Sequence, residues 1–383
     1  MIKIITLVGA RPQLIKASAI SREIKKSFHN QIEEIIVHTG QHYDENMSNV
    51  FFQELEIPKE KYNLQVGSGS HAFQTANIML KFEKILIDEK PDYLLLYGDT
   101  NSTIAAALTA AKIFIPIIHI EAGVRGYNKN FPEEINRILT DHLSTLLFTP
   151  TISGYESLEK EGFKFNEAKK ISNNNPAYYL CGDIMYDNTL FFGQKMSRTY
   201  LEDKFNIKKS YCLLTMHRPS NVDDPRNLAN ILNAIIDISE KHDLDIIFPV
   251  HPRTKNVIEH LADKVLSNKI LNHKNIKMLP PASFIEMIAL EKYSEIVITD
   301  SGGVQKEAFF LERPCLIMLE ETPWVELIDS GCAKLVGSDK ELIKNEFDNF
   351  YVNADKLLYE NLYGDGNSSN FILNKIVECN LLK

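Results

Sequence analysis

Short apolar runs bounded by turn-forming residues alternate along the chain with longer stretches in which apolar residues recur at helical spacing. The short runs are rich in β-branched residues and have the length of buried strands. Strands that alternate with helices in this way indicate βαβ units and a parallel sheet. In the first half, the pattern predicts strands over residues 4–8, 34–38, 93–97 and 117–120, and helices from residue 12 and over residues 105–112.

The same alternation begins again after a polar tract at residues 169–176, which has the composition of a loop. Here the pattern predicts strands over residues 211–215, 246–250, 276–279, 295–299 and 315–319, and an amphipathic helix over residues 228–241. The chain of 383 residues also exceeds the roughly 250–300 residues at which one hydrophobic core stops growing. We therefore predict an α/β fold of two Rossmann-like, doubly wound parallel-sheet domains, over residues 1–175 and 176–362.

Composition and charge narrow the class of protein. The net charge of -9 disfavours a surface that follows nucleic-acid phosphates, so we expect no nucleic-acid partner. The five cysteines lie far apart without a Cys-x-x-Cys pair, which argues against a disulfide framework and against a zinc–thiolate site. The first apolar run is too short for a signal peptide, and no later run reaches membrane-spanning length. We expect a cytoplasmic protein without membrane insertion.

Ligands of open α/β sheets bind beyond the carboxyl ends of the strands, so two such domains would hold a ligand in the cleft that they face. Arg11 opens the helix after the first strand, and Lys16 lies about one turn further on. A cation at a helix N-terminus is unfavourable unless an anion lies between the two. This pair predicts a phosphate or carboxylate site. The alternative is a surface arginine paired with some carboxylate.

A glycine turn joins the strand over residues 295–299 to a helix. Backbone amides near Ser301, Gly302 and Gly303 would cradle a diphosphate there, and Glu307 could accept hydrogen bonds from ribose hydroxyls. Alternatively, Glu307 only compensates the dipole near a helix start. A second glycine motif, at residues 67–72, is not followed by a clear ribose-binding acid, so we interpret it as a loop over the cleft and not as a dinucleotide site.

Three carboxylates are the candidates for proton transfer. Asp99 and Glu121 each end a predicted strand, and Glu133 follows Pro132 at a predicted helix start. Acids at neighbouring strand ends converge, and burial with like-charge proximity can raise one pKa into the range of a proton shuttle. The alternative for Asp99 is a helix cap, and the alternative for Glu133 is an exposed first helical turn.

Two histidine segments also follow predicted strands. His217 and Arg218 come after residues 211–215 and can bind developing negative charge, and His251 comes after residues 246–250. A lone histidine is nevertheless more often structural. The spacing of His119 and Glu121 is that of a zinc deaminase, but the Pro-Cys-x-x-Cys partner is missing, and His38 with His42 has no third ligand. We predict no metal site.

Together these segments resemble the non-hydrolysing UDP-N-acetylglucosamine 2-epimerase family. The motifs occur in the order of that family, as Gly-x-Arg-Pro, Gly-Asp-Thr, His-x-Glu-Ala-Gly, Pro-Glu-Glu-x-Asn-Arg, Thr-x-His-Arg and Asp-Ser-Gly-Gly, and residues 363–366 close the series. The resemblance implies the GT-B architecture, a last helix within residues 363–383 that crosses back to the first domain, and a homodimer.

The resemblance also implies a reaction and its residues. UDP is eliminated across C1 and C2 of the sugar to give a 2-acetamidoglucal, and UDP is then added back with the proton on the opposite face, without nicotinamide or metal. The product from UDP-N-acetylglucosamine is UDP-N-acetylmannosamine. By motif match, Asp99, Glu121 and Glu133 are the acid/base candidates, and which of them serves which face stays open. The groups implied for the nucleotide are His217, Arg11, Ser301, Gly302 and Glu307.

Several positions depart from the commonest family pattern, among them Gln13, Ser220, Leu319 and Trp324. Residues 9–13, 39–44 and 182–187 are more similar to the branch that acts on UDP-2,3-diacetamido-2,3-dideoxyglucuronate, which is therefore an alternative. A retaining GT-B glycosyltransferase that uses a UDP-sugar is the rival enzyme class. A non-catalytic sensor of nucleotide sugars is the third alternative.

Overall fold

The computed structural model describes residues 1–40, 52, 54–165 and 169–381. The chain divides into two compact units. The first unit comprises Met1–Asn188 and Asn361–Lys383, and the second comprises Thr189–Glu360. The division falls inside the helix Ile184–Lys195, which is named α6.

A parallel sheet forms the centre of the first unit. Its described strands are β1 Ile2–Val8, β2 Ile32–His38, β3 Tyr62–Asn63, β4 Tyr93–Tyr97, β5 Ile117–Ile120, β6 Leu146–Thr149 and β7 Ala177–Leu180. They lie in the order β3-β2-β1-β4-β5-β6-β7. The direction of winding reverses between β1 and β4, which is where open α/β sheets bind ligands. The α-helices are α1 Arg11–Glu23, α2 His71–Glu89, α3 Asn101–Lys112, α4 Pro132–Leu143 and α5 Ile152–Lys160, and a π-helical turn, Ile24–Phe28, follows α1.

The second unit repeats this plan. Its described strands are β8 Tyr211–Thr215, β9 Asp245–Pro249, β10 Ile276–Leu279, β11 Val297–Thr299, β12 Cys315–Ile317 and β13 Ala333–Leu335, in the order β10-β9-β8-β11-β12-β13. The winding reverses between β8 and β11. The helices after α6 are α7 Arg198–Phe205, α8 Pro219–Val222, α9 Pro225–His242, α10 Pro252–Glu259, α11 Lys264–Leu271, α12 Phe284–Lys292, α13 Gly302–Phe310, α14 Val325–Asp329 and α15 Lys340–Asn353, and a short 3-10 turn, Ala354–Lys356, follows α15.

The central strands are buried on both faces because helices cover each side of the sheets. Every residue of β4 and of β8 is buried. This double burial explains why both strands are continuous apolar runs without polar alternation. The predicted α/β class with two doubly wound parallel sheets is confirmed.

Two predicted strands of the second unit are shorter than the apolar pattern suggested. β11 begins at Val297, later than the predicted start at residue 295, and β12 ends at Ile317, earlier than the predicted end at residue 319. The amide of Leu319 donates to the carbonyl of Ile317 at 2.9 Å. This tight turn takes the chain out of the ladder although Met318 is still buried. The strands β3, β6, β7 and β13 were not predicted, since each is at most four residues long and has few positions from which to read a period.

The last helix, α16 Ser368–Leu381, belongs to the first unit and lies against α1. Asp187 of α6 supplies its N-terminal cap from a distant part of the chain. The Asp187 carboxylate accepts hydrogen bonds from the amides of Ser368 at 3.0 Å and Ser369 at 2.7 Å, and from the Ser369 hydroxyl at 2.6 Å. These bonds satisfy amides that a helix start otherwise leaves without partners.

We predict that Gly123→Ala destabilises the first unit strongly. Gly123 has a φ of 77°, and a methyl group there would overlap the carbonyl oxygen of Gly154. Gly67→Ala is the matched control, because Gly67 has a φ of 72° with no atom within 4 Å of its added methyl group. We expect Gly123→Ala to lower the free energy of unfolding by about 2 kcal/mol more than Gly67→Ala. Urea denaturation followed by circular dichroism measures this difference, and equal costs would contradict the prediction.

Candidate functional site

The carboxyl ends of β4 and β5 carry Asp99 and Glu121 side by side in the first unit. Gly98, with a φ of 60°, turns the chain after β4, and Asp99 follows it. Glu121 comes directly after β5 and has a φ of 75°, a left-handed conformation that costs a non-glycine residue about 1–2 kcal/mol. Strain of this kind is retained where the surrounding structure over-determines it, which is common at functional sites.

Lys16 of α1 forms an ion pair with Glu121, and both side chains are largely buried. Burial lowers the pKa of Lys16, but the charges of Glu121, Asp99 and Asp183 and the hydrogen bond to Glu121 outweigh it, so the pKa is raised. Lys16 is thus held as a cation. A methyl group on Gly98 would come within 3.3 Å of the Lys16 Nζ, so glycine leaves the space that the ammonium group occupies.

Arg137 of α4 is the second cation at these strand ends. Its guanidinium lies 2.5 Å from the Asp99 Oδ2 and 3.0 Å from the Glu134 Oε2. Burial lowers the pKa of Arg137, but the charges of Asp99 and Glu121 and the hydrogen bonds to Glu134 and Asp99 raise it overall. The charges of Asp99 and Glu121 therefore act on the same two cations, Lys16 and Arg137.

Glu133 and Glu134 have different environments at the start of α4. Glu134 is only 1% exposed, and it accepts hydrogen bonds from the amides of Gly126 and Tyr127, at 2.9 Å each, and from Arg137. Glu133 is exposed on the first helical turn, where the alternative reading expected it. No contact in the described parts of the chain joins Glu133 to Asp99, so its acid/base role stays a prediction.

His119 supports the turn that carries Asp99. Its Nε2 lies 2.8 Å from the carbonyl oxygen of Gly98, and its Nδ1 lies 2.6 Å from the Asp141 Oδ1. Asp141 also contacts Arg125 at 2.7 Å and accepts the amide of Gly123 at 3.0 Å. Burial raises the pKa of Asp141, but His119, Arg125 and Gly123 lower it overall. Both ring nitrogens of His119 thus lie against oxygen atoms that can accept hydrogen bonds, and these two contacts fix the orientation of the ring.

The start of α1 explains the departure at residue 13. The Gln13 side-chain oxygen accepts the amides of Gly9 at 2.9 Å and Ala10 at 3.2 Å, and its NH2 donates to the Tyr97 carbonyl at 3.0 Å and the Thr103 hydroxyl at 2.9 Å. An amide can do both, whereas a carboxylate only accepts. Arg11, the first residue of α1, is exposed.

Asp300 organises the corresponding strand ends of the second unit. It is fully buried after β11 and accepts the backbone amides of His217 and Arg218, at 3.0 and 2.9 Å, and the Asn221 amide group at 3.2 Å. The Nδ1 of His217 lies 3.0 Å from the Asp300 Oδ1, and the Arg218 Nε donates to the Asp300 carbonyl at 2.8 Å. Burial raises the pKa of Asp300, but the hydrogen bonds from His217 and Arg218 and the charge of His217 lower it overall.

The turn after Asp300 is open at its glycines. A methyl group on Gly302 or on Gly303 would meet no atom closer than 4.0 Å, and neither glycine has a positive φ. The fold itself therefore requires glycine at neither position. Bare amides at the start of α13, which contains both glycines, leave room for an anion to approach the backbone. The amide of the preceding Ser301 is already engaged, because it donates to the Thr299 hydroxyl at 2.9 Å.

Glu307 lies in the second turn of α13 and is only 7% exposed. It is therefore too far along the helix for the first-turn compensation of the dipole that the alternative reading proposed. The segment that contains Leu319 and Trp324 contacts the same helix, α13. The Lys306 Nζ lies 3.7 Å from the centroid of the Trp324 ring, and the Thr322 hydroxyl donates to the Gln305 side chain at 2.7 Å.

His251 follows β9, next to β8 in the sheet, and caps α10. Its Nδ1 accepts the amide of Arg253 at 3.2 Å, while the residue is exposed. His251, His217 and Ser301 thus follow three adjacent strands, β9, β8 and β11. Their roles in binding stay predictions.

Sequence reasoning assigned no role to several residues that the structure brings to these strand ends, namely Glu134, Asn136, Arg137, His119, Asp141 and Asp300. Helical spacing could have indicated Arg137, which lies three residues after Glu134 on α4. Asp300 stands between a predicted strand and a glycine pair, a position that favours a site residue. No pattern in the sequence predicts that Asp141 contacts His119.

Gln41 to Asp44, which include His42 and part of the motif at residues 39–44, lie outside the described residues. Across the ranges that are described, no three histidine, cysteine or acidic side chains are grouped as metal ligands. Over the same ranges, no helix has both the length and the apolar character needed to cross a bilayer.

The fold and these strand ends define an α/β protein with two acids paired with cations in one unit and an open glycine turn in the other. A family model described as UDP-N-acetylglucosamine 2-epimerase matches residues 23–377. The chain belongs to the UDP-N-acetylglucosamine 2-epimerase family, which confirms the resemblance seen in its motifs.

Individual relatives match this chain over nearly its full length. A UDP-N-acetylglucosamine 2-epimerase homolog of Methanococcus maripaludis is 48% identical over 370 residues, which are 96% of this chain and 97% of the relative. The UDP-2,3-diacetamido-2,3-dideoxy-D-glucuronate 2-epimerase of Pseudomonas aeruginosa is 42% identical over 372 residues, 97% and 98% of the two chains. The structure of Methanocaldococcus jannaschii UDP-GlcNAc 2-epimerase in complex with UDP-GlcNAc and UDP is 38% identical, with a TM-score of 0.82 over 98% of this chain and 100% of that chain.

We predict that Asp300→Asn destabilises the protein in a pH-dependent way. Because the pKa of Asp300 is lowered in the fold, its stabilising effect is present above its ordinary value of 3.8 and is lost as the pH falls below that value. At neutral pH we expect a loss of about 1–3 kcal/mol, since several hydrogen bonds to a buried charge are weakened. Denaturation at pH 7 and below pH 3.8 measures the effect.

The control is Asp355→Asn, which removes the same charge from an exposed residue. We expect this variant to unfold like the wild type at both pH values. A gap between Asp300→Asn and the wild type that stays constant down to pH 2 would contradict the assignment to Asp300 ionisation.

Proposed function

We propose that the protein is a UDP-sugar 2-epimerase that converts UDP-N-acetylglucosamine to UDP-N-acetylmannosamine without net hydrolysis. The observation that carries the proposal is the pair of strand-end carboxylates, Asp99 and Glu121, held beside Lys16 and Arg137 at the switch point of a parallel sheet. Family membership and the UDP-GlcNAc bound to the Methanocaldococcus jannaschii relative support the same substrate class.

The chemistry needs groups of this kind. The C2 hydrogen of an N-acetylhexosamine has no adjacent carbonyl in the ring, so a free carbanion at C2 is too unstable to form. In the proposed reaction, a carboxylate takes the C2 proton while the C1–O bond breaks and UDP leaves with the electron pair, which gives a 2-acetamidoglucal. Protonation of C2 from the opposite face and re-addition of UDP to C1 complete the inversion. Of two carboxyl groups at neighbouring strand ends, the ionised one is the base that takes the C2 proton, and the one on the opposite face has to carry the proton that is delivered to C2.

The second unit would hold the leaving group. A diphosphate can bind to the open amides at Gly302 and Gly303. The N-terminus of α13 favours the negative charge of this group. His217, oriented by the buried Asp300, and Arg218 can stabilise the charge that develops on UDP as the C1–O bond breaks. Glu307 is the proposed acceptor for the ribose.

The second candidate substrate is UDP-2,3-diacetamido-2,3-dideoxyglucuronate. The observation that favours it is the 42% identity to the Pseudomonas aeruginosa enzyme, together with the branch-like motifs at residues 9–13 and 182–187. Turnover of the two UDP-sugars under the same conditions, followed by NMR of the anomeric and C2 protons, decides between them. A substrate that turns over only after a sugar acceptor is added would instead support the glycosyltransferase class.

We predict that the wild type, incubated with its UDP-sugar in deuterium oxide, incorporates deuterium at C2 without any acceptor. Asp99→Asn should lower the exchange rate by about 10²–10⁴-fold, because the amide cannot take the proton. UDP should bind this variant as it binds the wild type, since Asp99 is not among the residues proposed to contact the nucleotide. NMR of the C2 proton and titration calorimetry with UDP make the two measurements.

Asp88→Asn is the matched control, because Asp88 is an exposed aspartate of the same unit. It should exchange deuterium at the wild-type rate. The proposal fails if Asp99→Asn exchanges as fast as the wild type, or if the wild type leaves C2 unlabelled with both candidate substrates.

A further inference from the structure

One helix of the first unit, α4, contacts both of the turns that follow β4 and β5. Its Asn136 donates to the carbonyl oxygen of Asp99 at 2.8 Å, and its Arg137 pairs with the Asp99 carboxylate. The last turn of the same helix carries Asp141, whose side chain is fully buried. The reaction described above gives Asp141 no part, and a buried carboxylate needs partners that offset the cost of its burial.

The two oxygens of Asp141 have partners in different turns. Its Oδ1 lies 2.6 Å from the Nδ1 of His119, whose Nε2 lies 2.8 Å from the carbonyl oxygen of Gly98. Its Oδ2 accepts the amide of Gly123 at 3.0 Å and contacts Arg125 at 2.7 Å. One buried carboxylate therefore joins the turn after β4 to the turn after β5.

Both ends of this link lie next to an acid/base candidate. Gly98 directly precedes Asp99, and Gly123 comes two residues after Glu121. Gly98, Glu121 and Gly123 have φ values of 60°, 75° and 77°. A left-handed conformation persists at a residue such as Glu121 only where its surroundings over-determine it. The hydrogen bond from Gly123 to Asp141 restrains the turn in which this conformation occurs.

Transfer of the C2 proton depends on where the two acids lie. The base must be within hydrogen-bond reach of the proton that it takes, and a misplacement of about 1 Å can cost about 10²-fold in rate. In the proposed reaction, two acids act on opposite faces of one carbon atom, so their separation has to match the substrate. A link that joins both turns restrains this separation, whereas a contact with one turn alone would not.

We propose that Asp141 is a positioning residue, which fixes the separation of the turns that carry Asp99 and Glu121. It acts on the first turn through His119 and on the second through the amide of Gly123. Because Asp141 is fully buried, it acts through these partners and not on the substrate. The inference rests on the proposed function, since that function assigns the two acids to proton transfer at C2.

Asp141→Ala and Asp141→Asn differ in whether they keep the link. Alanine removes both contacts. Asparagine can keep them, because its oxygen can accept the amide of Gly123 and its NH2 group can donate to the Nδ1 of a neutral His119 ring, which still donates from Nε2. Deuterium exchange at C2 should be about 10²-fold slower in Asp141→Ala, whereas Asp141→Asn should exchange at close to the wild-type rate.

The loss should appear in the rate and not in binding. Titration calorimetry should give both variants the wild-type affinity for UDP, since Asp141 is not among the residues proposed to contact the nucleotide. A role in stability alone would leave the folded fraction of Asp141→Ala with the wild-type exchange rate. Circular dichroism measures that fraction.

His119→Leu interrupts the link at its other end and tests the proposal even if Asp141→Ala does not fold. This variant leaves Gly123 and Arg125 as partners of the Asp141 carboxylate. It should slow the exchange at C2 as Asp141→Ala does. The double variant should be little slower than either single variant, because both changes break the same link. Independent, additive losses would contradict a shared link.

Two further measurements separate positioning from the pairing of Arg125. Glu161 is the second carboxylate partner of Arg125, at 2.7 Å. Glu161→Gln leaves the link between the turns in place and should exchange deuterium at the wild-type rate. Amide hydrogen exchange, followed by mass spectrometry, compares residues 98–103 and 121–126 in the full chain. Both segments should exchange faster in Asp141→Ala than in the wild type or in Asp141→Asn.

The possible results distinguish this inference from the proposed function. If folded Asp141→Ala and His119→Leu exchange at C2 as fast as the wild type, the positioning role is wrong and the proposed function stands. If Asp141→Asn is as slow as Asp141→Ala, the charge and not the link accounts for the effect, and the proposal is again wrong. Faster amide exchange in one segment alone would contradict a link between the turns.

A wild type that leaves C2 unlabelled with both candidate substrates would overturn the proposed function, and the role of Asp141 in proton transfer with it. The amide exchange of the two segments does not depend on turnover. It would then still decide whether Asp141 joins the two turns.

Discussion

The first unit depends on the compensation of acid charge at the ends of its parallel strands. Glu121 is largely buried, and an uncompensated carboxylate in a buried site costs several kcal/mol. Lys16 pairs with Glu121 and Arg137 pairs with Asp99, and the two cations reach the strand ends from α1 and α4. The positions of these two helices on the sheet therefore determine whether the two acids have cations beside them.

The acids at the strand ends of the two units have different kinds of partner. Cations compensate the pair in the first unit, whereas Asp300 is held by backbone amides and side-chain donors that belong to the loop after β8. Hydrogen bonds from several donors hold a buried carboxylate in one orientation. Asp300 therefore anchors the loop that carries His217 and Arg218.

The local pattern of apolar residues was sufficient to predict the strands and helices that are long and buried. The predicted bounds of β4, β5, β8 and β10 agree with the structure because each is a mainly apolar run between turn residues, although β5 contains His119 and β10 contains Lys277. Motif position also indicated that Asp99, Glu121 and Asp300 follow strands. The same reasoning named Glu133 and not Glu134 as an acid/base candidate. It could not predict that Glu134 is the buried one, because two adjacent helical residues lie on different faces and only packing decides which face is buried.

The amino-acid sequence by itself determined the α/β class, the two repeats of the winding pattern, the family and the strand ends at which its polar residues cluster. These features follow from the spacing of the apolar residues, the length of the apolar runs and the residue types. Each of these properties depends on a few neighbouring positions in the chain. Only the tertiary structure decided the pairings: Glu121 with Lys16, Asp99 with Arg137 and His119 with Asp141. Charge compensation depends on distance through space, and residues far apart in the chain meet only after the sheets have formed.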